Sequence, residues 1–284
     1  MSASKKSDTQ QEGERVVLIP LDKLHPPEFH PFQVKDDEAM KNLVKNIKEN
    51  GVMMPGIVRR RADGDYELVA GNRRKRACEL AGLTSMPVIV REMDDATATI
   101  VMVDTNIAQR ENLLHSERAW AYWVKMQALG HKGIKDEKQS VDVLVEQTGE
   151  SRSQIFRLMR LTELIVELMD KVDEKQLAFN PAVELSYLSK SEQKIVLSAM
   201  EKYGIKPSLS QALQLKKLKQ AGNFSEEEVA RILSAKEKST AAGKNVEQYR
   251  KFFPPGYTAK QMDDIIIDLL QGWRATHNTK SEPA

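Results

Sequence analysis

The sequence holds a single cysteine, Cys78, which excludes an internal disulfide framework and a cysteine zinc site. It has no run of 18 apolar residues, the length a membrane-spanning helix needs. Its five histidines are scattered. His25 and His30 flank a proline-rich turn, and neither HExxH nor any other paired metal spacing occurs. Charge of one sign is lacking too: 43 Lys and Arg face 41 Asp and Glu, a formal net of +2. A polyanionic partner, if there is one, must be met by local patches and not by a global field. No internal repeat, nuclease-type acidic cluster or reactive cysteine motif is visible. The opening residues 1–15, MSASKKSDTQQEGER, lack the apolar segment of a signal peptide and read as a disordered tail. Together these absences point to an intracellular chain.

What remains is globular. Of 284 residues, 40% are hydrophobic and 30% charged, enough apolar material for real cores in two or three domains. Residues 1–115 carry 17 basic against 18 acidic side chains, and residues 116–222 carry 17 against 14, so the middle is mildly basic. Residues 16–115 read as α+β. VVLI from Val16 is a strand ending at Pro20. Asp36 and Asp37 cap a helix whose Met40, Leu43, Val44 and Ile47 recur at helical spacing, closed by Gly51. GIVRR, the turn ADGD and YELVA read as a hairpin. A helix over about Asn72 to Ala81, a strand MPVIVREM and a helix over about Ala96 to Asn106 follow. Strand signals stop at Ser116, the expected N-cap of a helix that ends at Gly130. Residues 139–223 read as short helices with breaks at Asn180–Ala182 and Lys206–Ser208. Ala235 to Asn245 reads as a linker. A last helix carries the stripe Met262, Ile265, Ile266, Leu269, Leu270 and Trp273, a core or a dimer face.

The segment VDVLVEQTGESRSQIFRLMR, Val141 to Arg160, has the pattern of a helix-turn-helix. Gly149 supplies the tight turn. Leu144 and Val145 on the first helix and Ile155 and Leu158 on the second face inward. Ser151, Arg152, Ser153, Phe156, Arg157 and Arg160 are left outward, and arginines and short hydroxyls on a second helix suit reading of the major groove. Two positions depart from the usual pattern: Val145 stands where alanine is common, and Thr148 where an apolar residue is. The competing reading is an ordinary helical hairpin with solvated arginines. Trp120 and Trp123 on the preceding helix read as aromatics covering a junction, and Cys78 as a small buried hydrophobe.

In YELVAGNRRKRACELAGL a strand, a glycine turn and a helix start succeed one another. Unpaired N–H groups and the helix dipole behind Gly71 favour an anion, and Arg73, Arg74 and Arg76 add full charges. A basic, solvated helix start is the alternative.

AGNRRKRA resembles the G-E-R-R-x-R-A motif of ParB-type partition proteins. ENGVMMPGIVRR resembles that family's G-x-x-Q-P-x-x-V-R segment, and DTNIAQRENLLHSERAWAY its E-N-x-Q-R-x-x-L-x-x-x-E-x-A segment. The helix-turn-helix follows at the family's usual distance, and IPLDKLHPPEFHPFQVKDDEAM resembles the entry segment of ParB-like proteins of mobile elements. The resemblance implies an α+β N-terminal ParB-like domain (a small mixed sheet with helices), an all-α helix-turn-helix domain and a helical C-terminal region, divided at residues 16–115, 116–223 and 224–276 with a tail at 277–284. It implies a dimer on a palindromic centromere-like site in double-stranded DNA, CTP with Mg²⁺ in the N-terminal domain, closure as a sliding clamp, a ParA-type ATPase partner, and a cytoplasmic, nucleoid-associated location. Carried onto this sequence, Gly71, Arg73 and Arg74 would hold the triphosphate, and Gly51 and Pro55 would shape the base pocket. Asn106 and Arg110 would contact phosphate and metal or couple the nucleotide to closure.

The chain also departs from the family pattern. Met54 replaces the family glutamine, Asn72 the glutamate after the glycine, and Thr105 the acidic residue linked to hydrolysis. Ala108 is an insertion before Gln109. A hydroxyl cannot orient water or bind Mg²⁺ as a carboxylate does, so nucleotide binding without efficient hydrolysis is expected, with Glu111 the one substitute in reach. Two other readings stay open: a transcriptional or copy-number regulator whose nucleotide switch has decayed, and a distinct enzyme built on a ParB-like domain.

Overall fold

A computed structural model describes residues 15–110, 112–133, 137–235, 250–254 and 256–277. The expected tail before Arg15, nearly all of the expected linker, Glu111 and the last seven residues lie outside them. The chain divides into two compact units, one up to Ile232 and one from Leu233.

Five strands open the first unit: β1 (Val16–Pro20), β2 (Leu24–His25), β3 (Gly56–Arg60), β4 (Tyr66–Ala70) and β5 (Ser85–Val90). They form one mixed sheet in the order β1-β5-β3-β4-β2. β1 runs antiparallel to β5, β5 parallel to β3, β3 antiparallel to β4, and β4 parallel to β2. The ADGD turn closes the β3–β4 hairpin, with Arg61 N–H donating to the Asp65 carbonyl at 2.9 Å. β2 is two residues long, too short to leave a periodic signal in the sequence.

Alternation along the strands sends neighbours to opposite faces. Val58 and Leu68 join Met40, Ile47, Ala77, Cys78, Met86 and Val88 under α1 (Glu38–Asn50) and α2 (Asn72–Ala81). Asp37 caps α1 by accepting from Met40 N–H. Ile57 and Val69 face the other way, into a core of Phe32 from the segment before α1, Ala98, Met102 and Val103 on α3 (Asp95–Gln109), and Ala121 and Tyr122 on α4 (His115–His131). That second core continues without a break into Val141 and Leu144 on α5 (Glu137–Thr148) and Ile155 and Leu158 on α6 (Arg152–Arg160). One hydrophobic cluster therefore runs from the sheet to the helix-turn-helix. At roughly 1.5–3 kcal/mol per large buried side chain, it fixes α6 relative to α3.

α4 begins two residues earlier than its sequence suggests, with Leu114 in place of Ser116 at the N-cap. Glu117 caps it by accepting from Leu114 N–H at 3.0 Å, while Ser116 N–H and its hydroxyl turn to Asp173. A buried carboxylate in the first turn outcompetes the serine for the cap. Lys125 of α4 is fully buried and donates to Asp104 of α3 and Gln147 of α5.

α7 (Val166–Asp173), α8 (Phe179–Leu185), α9 (Lys190–Tyr203) and α10 (Leu209–Gln220) follow, α8 packing on α10, and the unit ends within α11 (Glu226–Ser234). Asn180–Ala182 is not a break but the first turn of α8, where proline costs no hydrogen bond because those N–H groups have no intrahelical acceptor. Ser208 is the N-cap of α10, so that expected break holds. The second unit contains α12 (Ala259–His277).

Candidate functional site: an anion cavity and a helix-turn-helix

Two surfaces carry the chemistry. The first lies where β4 hands over to α2. Gly71 is the N-cap of α2 at φ +114°, a conformation that L side chains rarely adopt. A Cβ there would meet Gly56 Cα at 3.3 Å and the Arg74 guanidinium at 3.4 Å. The turn brings the open N-terminus of α2 to a cavity of about 100 Å³ lined by His30, Ala70, Gly71, Asn72, Arg73, Arg74, Thr105, Asn106, Gln109 and Arg110. That volume accepts a phosphate group. It is well below the ~300–1,000 Å³ of pockets that enclose a whole small molecule.

Each cation has a partner that sets how it can act. Arg73 is 3.5 Å from Asp37 at the cap of α1. Arg74 donates Nη1 to the Met54 and Pro55 carbonyls, both at 2.6 Å, and burial holds its pKa below the ordinary arginine value. It thus pins the 51–55 loop to α2. Arg110 lies over the Phe32 ring at 5.4 Å and donates to Glu117 at 3.2 Å. Burial lowers its pKa too, with Glu117 opposing. Arg76 turns away to Asp36 and does not line the cavity. Asn106 donates Nδ2 to the Met102 carbonyl at 2.8 Å. The Thr105 hydroxyl donates back to Val101 and Met102 carbonyls of its own helix.

Of the residues that the resemblance assigned to a nucleotide, Gly71, Arg73, Arg74, Asn106 and Arg110 meet at this cavity. Gly51 and Pro55 lie outside its lining, Gly51 as the C-cap of α1 and Pro55 just before β3. His30 and Asn72 join it without having been assigned a role there. Asn72 Nδ2 donates to His30 Nε2 at 3.1 Å and to the Leu68 carbonyl at 3.3 Å. Burial lowers the His30 pKa against the raising effect of its bond to Phe32. His25, its companion across the proline turn, pairs with Asp65 instead.

The second surface is the α5–α6 pair. Gly149 takes φ +71° at the turn, and Leu144, Ile155 and Leu158 are fully buried. Thr148 tolerates its position because its hydroxyl donates to the Leu144 carbonyl and accepts from Glu150 N–H. Ser151 caps α6 by accepting from Gln154 N–H at 3.2 Å. Ser151, Arg152, Ser153 and Phe156 are exposed or nearly so, with Arg152 paired to Asp142 at 2.6 Å. Arg157 and Arg160 are half-buried and lean toward α8. Arg157 donates to Asn180 at 2.6 Å and lies over the Phe179 ring. Arg160 donates to the Ser186 carbonyl and stacks 4.4 Å from the Tyr187 centroid. Trp120 and Trp123 form an edge-to-face ladder with Phe29. Trp123, 41% exposed, borders a larger apolar groove in which few charges converge.

A mixed sheet with a basic helix N-terminus, joined through one core to a helix-turn-helix, defines a class of two-part chain, and the comparisons narrow it. Residues 5–107 match the sequence model of the ParB N-terminal domain. A nucleoid occlusion protein of Listeria innocua is 32% identical over 191 residues, 67% of this chain and 64% of that one. The chromosome-partitioning protein Spo0J of Thermus thermophilus is 31% identical over 202 residues, 71% of each chain. A crystal structure of C-terminally truncated ParB from Caulobacter crescentus, complexed to the centromeric parS site, has a TM-score of 0.44 at 24% identity and covers 76% of this chain and 98% of that one. The chain belongs to the ParB family. It spans just under two thirds of the length of the Listeria relative.

Proposed function

We propose that this protein is a sequence-specific DNA-binding partition protein. It recognises a centromere-like site through α6 and responds to CTP, whose phosphates the cavity at Gly71 receives. The observation that carries the reading is the single hydrophobic cluster joining α3, which lines that cavity, to α6. An anion in the cavity and DNA on α6 then act on one packed body, as a nucleotide-gated clamp requires.

The cavity fits an anion. It offers the open N–H groups of α2, Arg73 and Arg110, and among the described residues its lining includes no carboxylate. CTP would supply the triphosphate that these donors hold, and Mg²⁺ would come with it. Arg73 and the α2 backbone orient the phosphate. Arg74 keeps the 51–55 loop in place, and this loop must move to admit the base, given the cavity's size. Thr105 has its hydroxyl tied to its own helix, so we propose binding that gates the clamp and at most weak hydrolysis. On α6, Arg152, Ser151, Ser153 and Phe156 meet the groove, while Arg157 is shared between DNA and α8. The chain works as a homodimer in the nucleoid-associated cytoplasm, with a ParA-type ATPase as partner.

Two observations favour a second reading, a regulator that binds DNA with its nucleotide switch lost: Arg74 is bonded within the fold and the cavity is phosphate-sized. Mapping DNA crosslinked to the protein across its native genome separates the two. A peak with shoulders spreading for kilobases supports the clamp. Narrow peaks at promoters would establish the regulator, and no enrichment would end both.

A further inference from the structure

His30 occupies the anion cavity in a defined protonation state. Its Nδ1 lies 2.7 Å from the Phe32 carbonyl. A carbonyl only accepts, so Nδ1 carries the hydrogen and Nε2 of the neutral ring is a bare acceptor. Asn72 Nδ2 donates to that lone pair. The amide cannot be turned over, because Nδ2 also donates to the Leu68 carbonyl and Oδ1 would repel that oxygen. Two backbone carbonyls thus fix the tautomer and the amide together. A proton on Nε2 would face the Asn72 N–H with no acceptor between them.

The charges around the ring oppose that proton on balance. Arg110 at the end of α3 lowers the His30 pKa and Glu117 of α4 raises it, with burial outweighing both. Glu117 is already engaged by Arg110, Gln33 N–H and Leu114 N–H. Arg73 and Arg74 of α2 line the same cavity, and Asp37 at the cap of α1 pairs with Arg73. A phosphate-like anion would change both conditions, bringing an acceptor oxygen and a negative charge.

We infer that His30 is a proton-linked ligand of the anion: a phosphate group enters the cavity together with one proton from solvent, which goes to Nε2 and is donated to a phosphate oxygen in place of the Asn72 bond. No covalent bond of the anion changes. Imidazole becomes imidazolium, and Asn72 Nδ2 is released to act as a second donor. Because linkage is reciprocal, anion affinity rises as pH falls through the window between the free and the occupied His30 pKa, by at most about tenfold per pH unit for one proton. This rests on the proposed reading of the cavity as a phosphate site.

The test titrates the full chain and His30→Gln with CTP and with sulfate by calorimetry between about pH 5.5 and 8.5. Sulfate has no proton to lose in this range, which removes the ligand's own titration. The wild type should bind sulfate more tightly toward acid pH, and His30→Gln should show a flat profile. Equal slopes in the two proteins, or a flat wild-type profile, would overturn the inference and leave the phosphate site standing. Failure of both proteins to bind CTP or sulfate at any pH would remove the phosphate site itself. A readout on the unmutated chain guards against misfolding of the variant: the His30 ring resonance should titrate at higher pH in saturating sulfate. An unmoved midpoint would also overturn the inference.

Discussion

Gly71 and His30 show how much one residue can decide. At φ +114°, Gly71 holds a turn that an alanine could enter only with strain and a Cβ 3.3 Å from Gly56. Gly71→Ala should cost roughly 1–3 kcal/mol, read as a lower urea midpoint, and should weaken anion binding by displacing the α2 N–H groups. His30 carries the pH dependence. Its pKa is lowered by burial, so below the unfolded value of about 6.5 the unfolded chain takes up a proton that the native ring refuses. Stability should therefore fall as pH drops from about 6.5 toward the lowered native pKa. His115, also lowered by burial, adds to the same acid-side slope. Thermal melts across this range should show a shallower loss in His30→Gln than in the wild type. Sulfate should stabilise both proteins, and should flatten the acid-side loss in the wild type more than in His30→Gln.

At the scale of elements, the joints matter more than the elements themselves. Lys125 is buried on α4 with Asp104 of α3 and Gln147 of α5 as its partners. Asp104→Ala strands a buried ammonium. The cost for a fully buried pair is ~3–5 kcal/mol, and because Asp104 is 36% exposed, about 2–3 kcal/mol is expected here. Lys125→Met should cost less, since Asp104 can turn to water. Chemical denaturation of the two variants tests the order, and a milder Asp104→Ala would refute it. On α6, Arg157→Ala should weaken a specific DNA site by roughly 1–3 kcal/mol, and Arg152→Ala should reduce the salt dependence by about one phosphate contact, near 0.9 in logarithmic slope. Anisotropy titrations at several salt concentrations measure both. Unchanged affinity in Arg157→Ala would assign that arginine to the α6–α8 joint alone, where Asn180 and Phe179 already hold it.

For the whole molecule, the apolar face of α12 decides the assembly. Along this helix Met262 is buried, while Ile267, Leu269, Leu270 and Trp273 are at least half exposed. A second copy of the chain is the proposed cover. A chain ending at Pro254 should then elute as a monomer in light scattering where the full chain is a dimer. An unchanged dimer would place the interface elsewhere. Partition by a clamp needs two copies, so the shortened chain should also lose cooperative binding to a palindromic site.

Local pattern by itself determined the strands Val16–Pro20 and Gly56–Arg60, the caps at Asp37 and Gly71, and the α5–α6 pair around Gly149. Each depends on residues within a few positions of one another, which is the range over which periodicity and capping act. The family motifs added the expectation that Gly71, Arg73, Arg74, Asn106 and Arg110 share a site. Tertiary structure alone decided the rest. His30 reaches Asn72 across 42 positions, Glu117 reaches Gln33 across 84, and Arg157 reaches Asn180 across 23. No periodicity records such pairings, because they arise only when burial in a common core brings distant segments together and each polar group must find a partner there. For the same reason Ser116 turned from its expected cap to Asp173, 57 positions on, and Arg157 and Arg160 lean onto α8 instead of pointing freely outward.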